Sequence, residues 1–274
     1  MELIGRISKG SKMDQIYISK NRAGLDIGSY VIVTPINQIR QEHNETNKKA
    51  SLFFYNVKKI EKLKVSIIDE IIRIIEENTN SKEIENILFV GSFISSGFNF
   101  KDLDIILISS NEIDIKKIED KIYENFGIKA HIILIENKTL LNGLSQDPFY
   151  EMMLSSFISK NRTIYQIKRK LNYKLLDLHL LKSKTLIDNF DYLNGNEKYY
   201  LIRNLIALSL FIQGEKVSNE NVDKEIKNQF TLKSIEEIKE NMLDKNSFIK
   251  KYKAIYDKNF NKIMIGVKNA SKQK

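Results

Sequence analysis

The chain has no cysteine among its 274 residues. Disulfides and thiolate zinc sites are therefore excluded, and a reducing compartment suits the composition. Proline is nearly absent: Pro35 and Pro148 are the only two, and beyond Pro148 the only glycines are Gly195, Gly214 and Gly266. That spacing leaves room for helices of ordinary length through the C-terminal half. No apolar run approaches the length of a membrane span, and the stretch from Leu205 to Ile212 contains Ser209. The segment Met1-Glu2-Leu3-Ile4-Gly5-Arg6 lacks the basic-then-apolar layout of a signal peptide. These absences lead to the expectation of a cytoplasmic protein with no membrane partner. No repeat at solenoid periods is present.

What the sequence does contain is charge of one sign. Lys plus Arg is 44 against 35 for Asp plus Glu, a net charge of +9. Such a surplus favours polyanionic partners, nucleoside triphosphates and nucleic acid among them. A Lys-rich, Ile-rich and Asn-rich source bias would give the same surplus by itself. Hydrophobic residues make up 42%, enough to bury more than one core.

Three zones separate by pattern. Residues 1–56 carry short segments rich in β-branched and aromatic residues (Ile4 to Ser8, Gln15 to Ser19, Tyr30 to Val33 and Ser51 to Asn56), punctuated by Gly10, Gly24 and Gly28. Residues 36–50 read as a polar loop. Residues 57–146 open with apolar positions spaced three and four apart from Ile60 to Ile75, which predicts an amphipathic helix over Val57 to Asn78. Strands are predicted at Ile84 to Val90, Leu103 to Ile108 and Ile128 to Ile135, with a helix at Ile115 to Phe126 stopped by Gly127. Residues 147–274 read as helical, opened by Asp147 as N-cap and Pro148 at the first helical position. Asn204 to Ile212, apolar nearly all round, predicts a buried central helix.

The chemistry lies between Ile87 and Ile108, where Val90-Gly91-Ser92 is followed by Asp102-Leu103-Asp104-Ile105. Alternate residues of a strand share a face, so Asp102 and Asp104 project together about 7 Å apart along the chain. Two carboxylates held this way repel unless a cation lies between them. Mg²⁺, and Mn²⁺ after it, suits such oxygen donors when phosphate oxygens complete the shell. The Gly91-Ser92 turn permits close backbone approach and offers a hydroxyl and N–H donors to a phosphate.

This pattern resembles the DNA polymerase β-like nucleotidyltransferase superfamily, whose signature is an apolar residue, Gly, Gly or Ser, a spacer, then Asp-apolar-Asp-apolar. The resemblance covers about residues 57–136. It implies two-metal transfer of a nucleoside monophosphate from a nucleoside triphosphate to an acceptor hydroxyl on RNA, a protein or a small molecule. Asp102 and Asp104 would ligate the metal ions, and Gly91 and Ser92 would hold phosphate. The family usually places a third acid on a later strand. Here that strand, Lys129 to Glu136, has His131 at the matching place, and Glu136 falls on the opposite face. His131 is therefore a candidate general base, unless the site binds nucleotide and turns over poorly or His131 is simply a core residue.

Between Lys160 and Lys184 lie eight cations, Lys168 and Lys170 among them, against the single acid Asp177, with Tyr165 and Tyr173 interleaved. Cations fit phosphates and aromatic faces stack on bases, so Lys168 and Lys170 are candidate nucleotide contacts on a basic helix. The other reading is a solvated helix face with the tyrosines anchored in the core. The N-terminal Ile4-Gly5-Arg6, Lys9-Gly10, Asp14 to Arg22 and Gly28 to Val33 resemble the AbrB/SpoVT swapped-hairpin barrel over about residues 1–35, with Ser19 and Ser29 at positions usually Pro and Asp. That resemblance implies homodimerisation, with either DNA contact through Lys9, Lys12, Lys20 and Arg22 or a role as a dimerisation or docking piece alone. The expected fold is multidomain α+β: an AbrB-like β-barrel module at 1–56, an α/β nucleotidyltransferase domain with a mixed sheet at 57–146, and a helical bundle at 147–274. The rival to an enzyme is an AbrB-like nucleic-acid-binding regulator whose nucleotidyltransferase fold is degraded and non-catalytic.

Overall fold

In the computed structural model, the described residues are 7–9, 15–16, 51–79 and 83–271. The chain divides into two units, Met1–Lys48 and Lys49–Lys274. In the first, β1 (Ile7–Ser8) pairs antiparallel with β2 (Gln15–Ile16). The strand expected at Tyr30 to Val33 and the basic residues Lys12, Lys20 and Arg22 lie outside the described residues, whereas the strand expected at Ser51 to Asn56 falls in the second unit.

The second unit is α+β and centres on a five-stranded mixed sheet of order β3-β7-β4-β5-β6. It comprises β3 (Phe53–Tyr55), β4 (Ile84–Val90), β5 (Asp102–Ser109), β6 (Lys129–Ile135) and β7 (Phe157–Ser159). Neighbours run antiparallel except β5 and β6, which are parallel and are joined by the crossover helix α2 (Ile115–Phe126). Gly127 caps α2 at φ +65°, a left-handed conformation that glycine adopts at least cost. The order helix, strand, strand, helix, strand expected over the middle of the chain is present. The leading helix, α1 (Lys62–Asn78), starts five residues later than its apolar pattern suggests.

The period of two sorts β5 into two faces. Leu103, Ile105 and Leu107 join Ile87 and Phe89 of β4 under Ile68, Ile71, Ile72 and Ile75 of α1. Each such side chain contributes about 1.5–3 kcal/mol when fully buried. On the other face, Ile106 and Ile108 join Leu88, Val90 and Ile135 beneath Leu140 of α3 (Asn137–Gln146) and Leu154, which follows α4 (Pro148–Met153). Asp102 and Asp104 continue that second face where its apolar cover ends.

Two features depart from the sequence reading. Phe157–Ser159, inside the zone read as helical, is the sheet strand β7, seated between β3 and β4. The basic stretch is helical only from α5 (Tyr173–Ser183) onward, and residues 162–172 run without helix. Tertiary hydrogen bonds decide this. The Thr163 N–H donates to the Tyr55 hydroxyl at 2.6 Å, the Asn86 amide donates to the Asn161 carbonyl at 3.0 Å, and the Lys170 N–H donates to the Ser145 carbonyl at 2.7 Å. Arg169 closes the segment. Its guanidinium grips both oxygens of Glu151 at 2.8 and 2.7 Å, donates to the carbonyls of Phe211 and Glu215, and lies over the Phe211 ring.

Helices α6 (Thr185–Asp188), α7 (Gly195–Ile212), α8 (Asn219–Phe230), α9 (Glu236–Lys239) and α10 (Lys245–Ser271) complete a bundle with α5. As expected, α7 is its buried axis, with every residue from Leu205 to Phe211 buried. A capping box of Asn194 and Glu197 starts it. Asp147 caps α4 by accepting from the Phe149 N–H at 2.8 Å, with Pro148 at the first helical position, as the sequence indicates. Among the described residues, no helix is long and apolar enough to cross a membrane.

Candidate metal centre

The parallel register of β5 and β6 sets Asp104 opposite His131 and Asp102 opposite Lys129. Asp102, Asp104 and His131 therefore project from one face of two adjacent strands, with one donor atom from each within 4.8 Å of the others. His131 Nδ1 lies 3.7 Å from Asp102 Oδ2 and 3.7 Å from Asp104 Oδ1. The His131 side chain is 62% exposed, which removes the reading of a packed core histidine. Glu136 does not belong to β6 at all; it precedes α3 as its N-cap residue.

Both aspartates are about one-third exposed, at 35% for Asp102 and 39% for Asp104. Desolvation raises the Asp104 carboxyl above the usual aspartate range, and the neighbouring Asp102 charge raises it further, while His131 partly offsets both. This is the electrostatic signature of a pair that a cation would relieve. Three donors of this kind, two oxygens and one imidazole nitrogen, suit a divalent ion.

Gly91 makes the arrangement possible. It follows β4 with φ +78°, and Val90 before it is paired with Asp104. A Cβ at Gly91 would stand 2.2 Å from Asp104 Oδ2 and 3.2 Å from its Cγ, so the carboxylate rests against bare backbone. Gly91→Ala is expected to cost about 1–2 kcal/mol through the left-handed backbone alone, and to displace the Asp104 carboxylate. Urea unfolding reads the first effect. The second should appear as at least a roughly tenfold loss of Mn²⁺ affinity, by analogy with lost supports of metal ligands. Affinity equal to that of the parent would show that the carboxylate position is immaterial.

Ser92 is exposed at the start of the loop that joins β4 to β5, and the Ser95 N–H donates to its carbonyl at 3.1 Å. This loop is held from beneath by two residues that the sequence reading passed over. Lys64, on α1, is fully buried. Its ammonium donates to the Ser95 carbonyl at 2.5 Å and to the Gly97 carbonyl, and it pairs with Glu61 at 3.2 Å. The rings of Phe93, Phe98 and Phe100 surround it at 5.3–5.6 Å. Glu61 accepts from the Gly97 N–H at 2.6 Å, a hydrogen bond that holds its carboxyl below the usual range. Lys129 is a third missed residue: it is exposed and stands beside Asp102 in register. Its signal was available, two residues before His131 on the same face.

Lys168 and Lys170 are both exposed, on the extended segment rather than on a helix. The ligating set comes from β5 and β6 alone. The interleaved tyrosines are half-buried: Tyr165 packs against the cluster that contains Leu88, Val90 and Ile106, and Tyr173 packs against the bundle core. A largely apolar cavity of about 280 Å³ opens on the same sheet face as the acids, lined by Ile106, Ile133, Leu140, Phe149, Tyr150 and the Asp147 carboxylate among others. Ile106 and Ile133 are two residues beyond Asp104 and His131, about 7 Å along the strands.

Compared with models of known protein families and with curated proteins, the chain matches none.

Proposed function

We propose that this protein is a divalent-cation-dependent nucleotidyltransferase, moving a nucleoside monophosphate from a nucleoside triphosphate to an acceptor hydroxyl. The observation that carries the reading is the Asp104 carboxylate lying against the left-handed Gly91 bend, with Asp102 beside it on one strand face. Two carboxylates on one strand face favour a cation between them, and the missing Cβ at Gly91 lets the Asp104 carboxylate come up against the loop whose N–H groups would meet phosphate.

The residues divide the work. Asp102 and Asp104 hold the cation. The Ser92 hydroxyl and the backbone N–H groups of the loop meet the terminal phosphates, with Lys129 beside Asp102 as a further phosphate contact and Lys168 and Lys170 as outer cations. The apolar cavity, with Phe149 and Tyr150 in its lining, suits a flat base. A divalent cation bound by the pair would withdraw charge from the α-phosphate and lower the pKa of the attacking hydroxyl. In the transfer itself, the acceptor oxygen bonds to the α-phosphorus, the bond from that phosphorus to the oxygen bridging to the β-phosphate breaks, pyrophosphate departs, and the hydroxyl proton is released to solvent.

A second reading, nucleotide or nucleic-acid binding without turnover, draws on one feature: the position opposite Asp104 holds His131 where a third carboxylate would stand. One assay separates the two. The protein is incubated with each α-labelled triphosphate, Mg²⁺ or Mn²⁺, and total RNA, and label is followed into RNA, into the protein itself and into small products. Label in any acceptor supports transfer. Its absence from all of them, with triphosphate binding retained, leaves the regulator reading.

A further inference from the structure

We infer that His131 is a cation ligand, making the centre a mixed carboxylate–imidazole site that prefers a first-row transition cation, such as Mn²⁺, to Mg²⁺. This rests on the reading of the Asp pair as a cation site and adds to it a third donor and a preference.

The distances carry the inference. His131 Nδ1 is 3.7 Å from an oxygen of each aspartate, too far for a hydrogen bond and equidistant from the two. A cation about 2.1 Å from its donors sets neighbouring donors roughly 3 Å apart at right angles and roughly 3.4 Å apart at tetrahedral angles. Atoms already within 4.8 Å of one another reach those separations by small side-chain rotations. The nitrogen thus occupies the third corner of a coordination triangle whose other corners are the carboxylates.

The placement is built into the sheet. Asp104 and His131 are register partners on adjacent parallel strands, so backbone pairing presets the donors instead of a loop. His131 is exposed, so its ring is free of the core packing that would otherwise account for its position.

Donor chemistry sets the preference. Imidazole nitrogen suits Fe²⁺ and the later first-row ions best; Mn²⁺, the lowest of that affinity series, still accepts it more readily than Mg²⁺, which selects oxygen and retains water in place of nitrogen. A neutral imidazole bonded to a metal through Nδ1 has no lone pair left on that atom to accept a proton. Ligation there and general-base action there exclude one another.

The test uses the full-length, metal-free protein and no nucleotide. Mn²⁺ is titrated in, with binding followed by loss of the free-ion paramagnetic resonance signal, and Mg²⁺ is added as competitor. Mn²⁺ is expected to bind at least about tenfold more tightly than Mg²⁺, and pulsed resonance of the bound ion should show hyperfine coupling to a directly bonded nitrogen. His131→Ala should lower Mn²⁺ affinity by about tenfold or more, remove the nitrogen coupling and leave Mg²⁺ affinity within about twofold. His131→Asp should bind both ions and lose the preference. Because the coupling is read on the parent protein, the inference stays open to refutation even if a variant folds poorly. Bound Mn²⁺ without nitrogen coupling, lost in Asp104→Ala, overturns the ligand role while leaving the carboxylate pair and the proposed transferase intact. A parent protein that binds no Mn²⁺ at about millimolar concentration overturns both.

Discussion

Asp104→Ala will fold as the parent does and transfer no nucleotide. Asp104 contributes no core contact: its neighbours on the strand, Leu103 and Ile105, supply the burial, while its own side chain is 39% exposed. On the proposed function, losing this carboxylate from the cation site would forfeit several kcal/mol of charge stabilisation at the α-phosphate. About 4 kcal/mol corresponds to roughly a thousandfold in rate, enough to take a slow transferase below detection. Activity within about tenfold of the parent would end the transferase reading. Stability should move the other way. The Asp104 carboxyl is raised by burial and by Asp102, so its ionised form is disfavoured in the folded state. The stability tied to this group is fully present below the ordinary aspartate range and is lost as pH rises through the raised value. Metal-free parent protein should therefore weaken as pH rises from the ordinary aspartate range through the raised Asp104 value, and Asp104→Asn should flatten that slope. Urea unfolding at several pH values in the presence of chelator measures it. An unchanged slope in the variant would mean that the repulsion between the aspartates is negligible.

Lys64→Met should be the most destabilising single change near the site. The substitution keeps the length of the aliphatic stem, so it isolates the ammonium. Without it, the carbonyls of Ser95 and Gly97 and the Glu61 carboxylate lose a shared donor. Ser95 and Gly97 are exposed, so their two hydrogen bonds with the ammonium and its ion pair with Glu61 contribute about 1 kcal/mol each, roughly 3 kcal/mol together. In a unit of this size that is a fall of about 6–12 °C in Tm. The loop from Gly91 to Phe100 would lose its anchor, so triphosphate affinity should fall even though Lys64 itself is too buried to meet a ligand. Lys64→Arg should recover part of the loop geometry and less of the stability, since a guanidinium is larger than the space among three phenylalanines. A Tm within about 2 °C of the parent in Lys64→Met would show that the loop holds its shape unaided.

Much of this was written in local periodicity. The isoleucines of α1 sit three and four apart, β4 and β5 are short apolar runs bounded by turn residues, and Gly91, Asp102 and Asp104 have a spacing that makes chemical sense before any coordinates. Other features depend on distant partners and leave no local trace. Phe157–Ser159 is three residues long and becomes a strand because β3 and β4 flank it, elements whose paired residues lie 102–106 and 69–71 positions earlier in the sequence. Residues 162–172 have the charge pattern of a basic helix, yet Tyr55, Asn86, Glu151 and Ser145 draw them out into extended chain. Lys64 reads as a polar break in an apolar stripe, because its acceptors lie more than thirty residues ahead. The meeting of His131 with Asp104 depends on a parallel register that no single strand encodes.

The grip of Arg169 on Glu151, Phe211 and Glu215 bears on how a substrate would enter. One guanidinium fastens the extended segment to α4 and to the end of the bundle axis α7, and Glu151 also accepts from the Val217 N–H. Lifting the extended segment off α4 and α7 would strip a paired charge of its counter-ion, an expensive movement. For the proposed transferase this tether speaks against the extended segment lifting as a lid, so selection among reactants would fall to the preformed shape of the site.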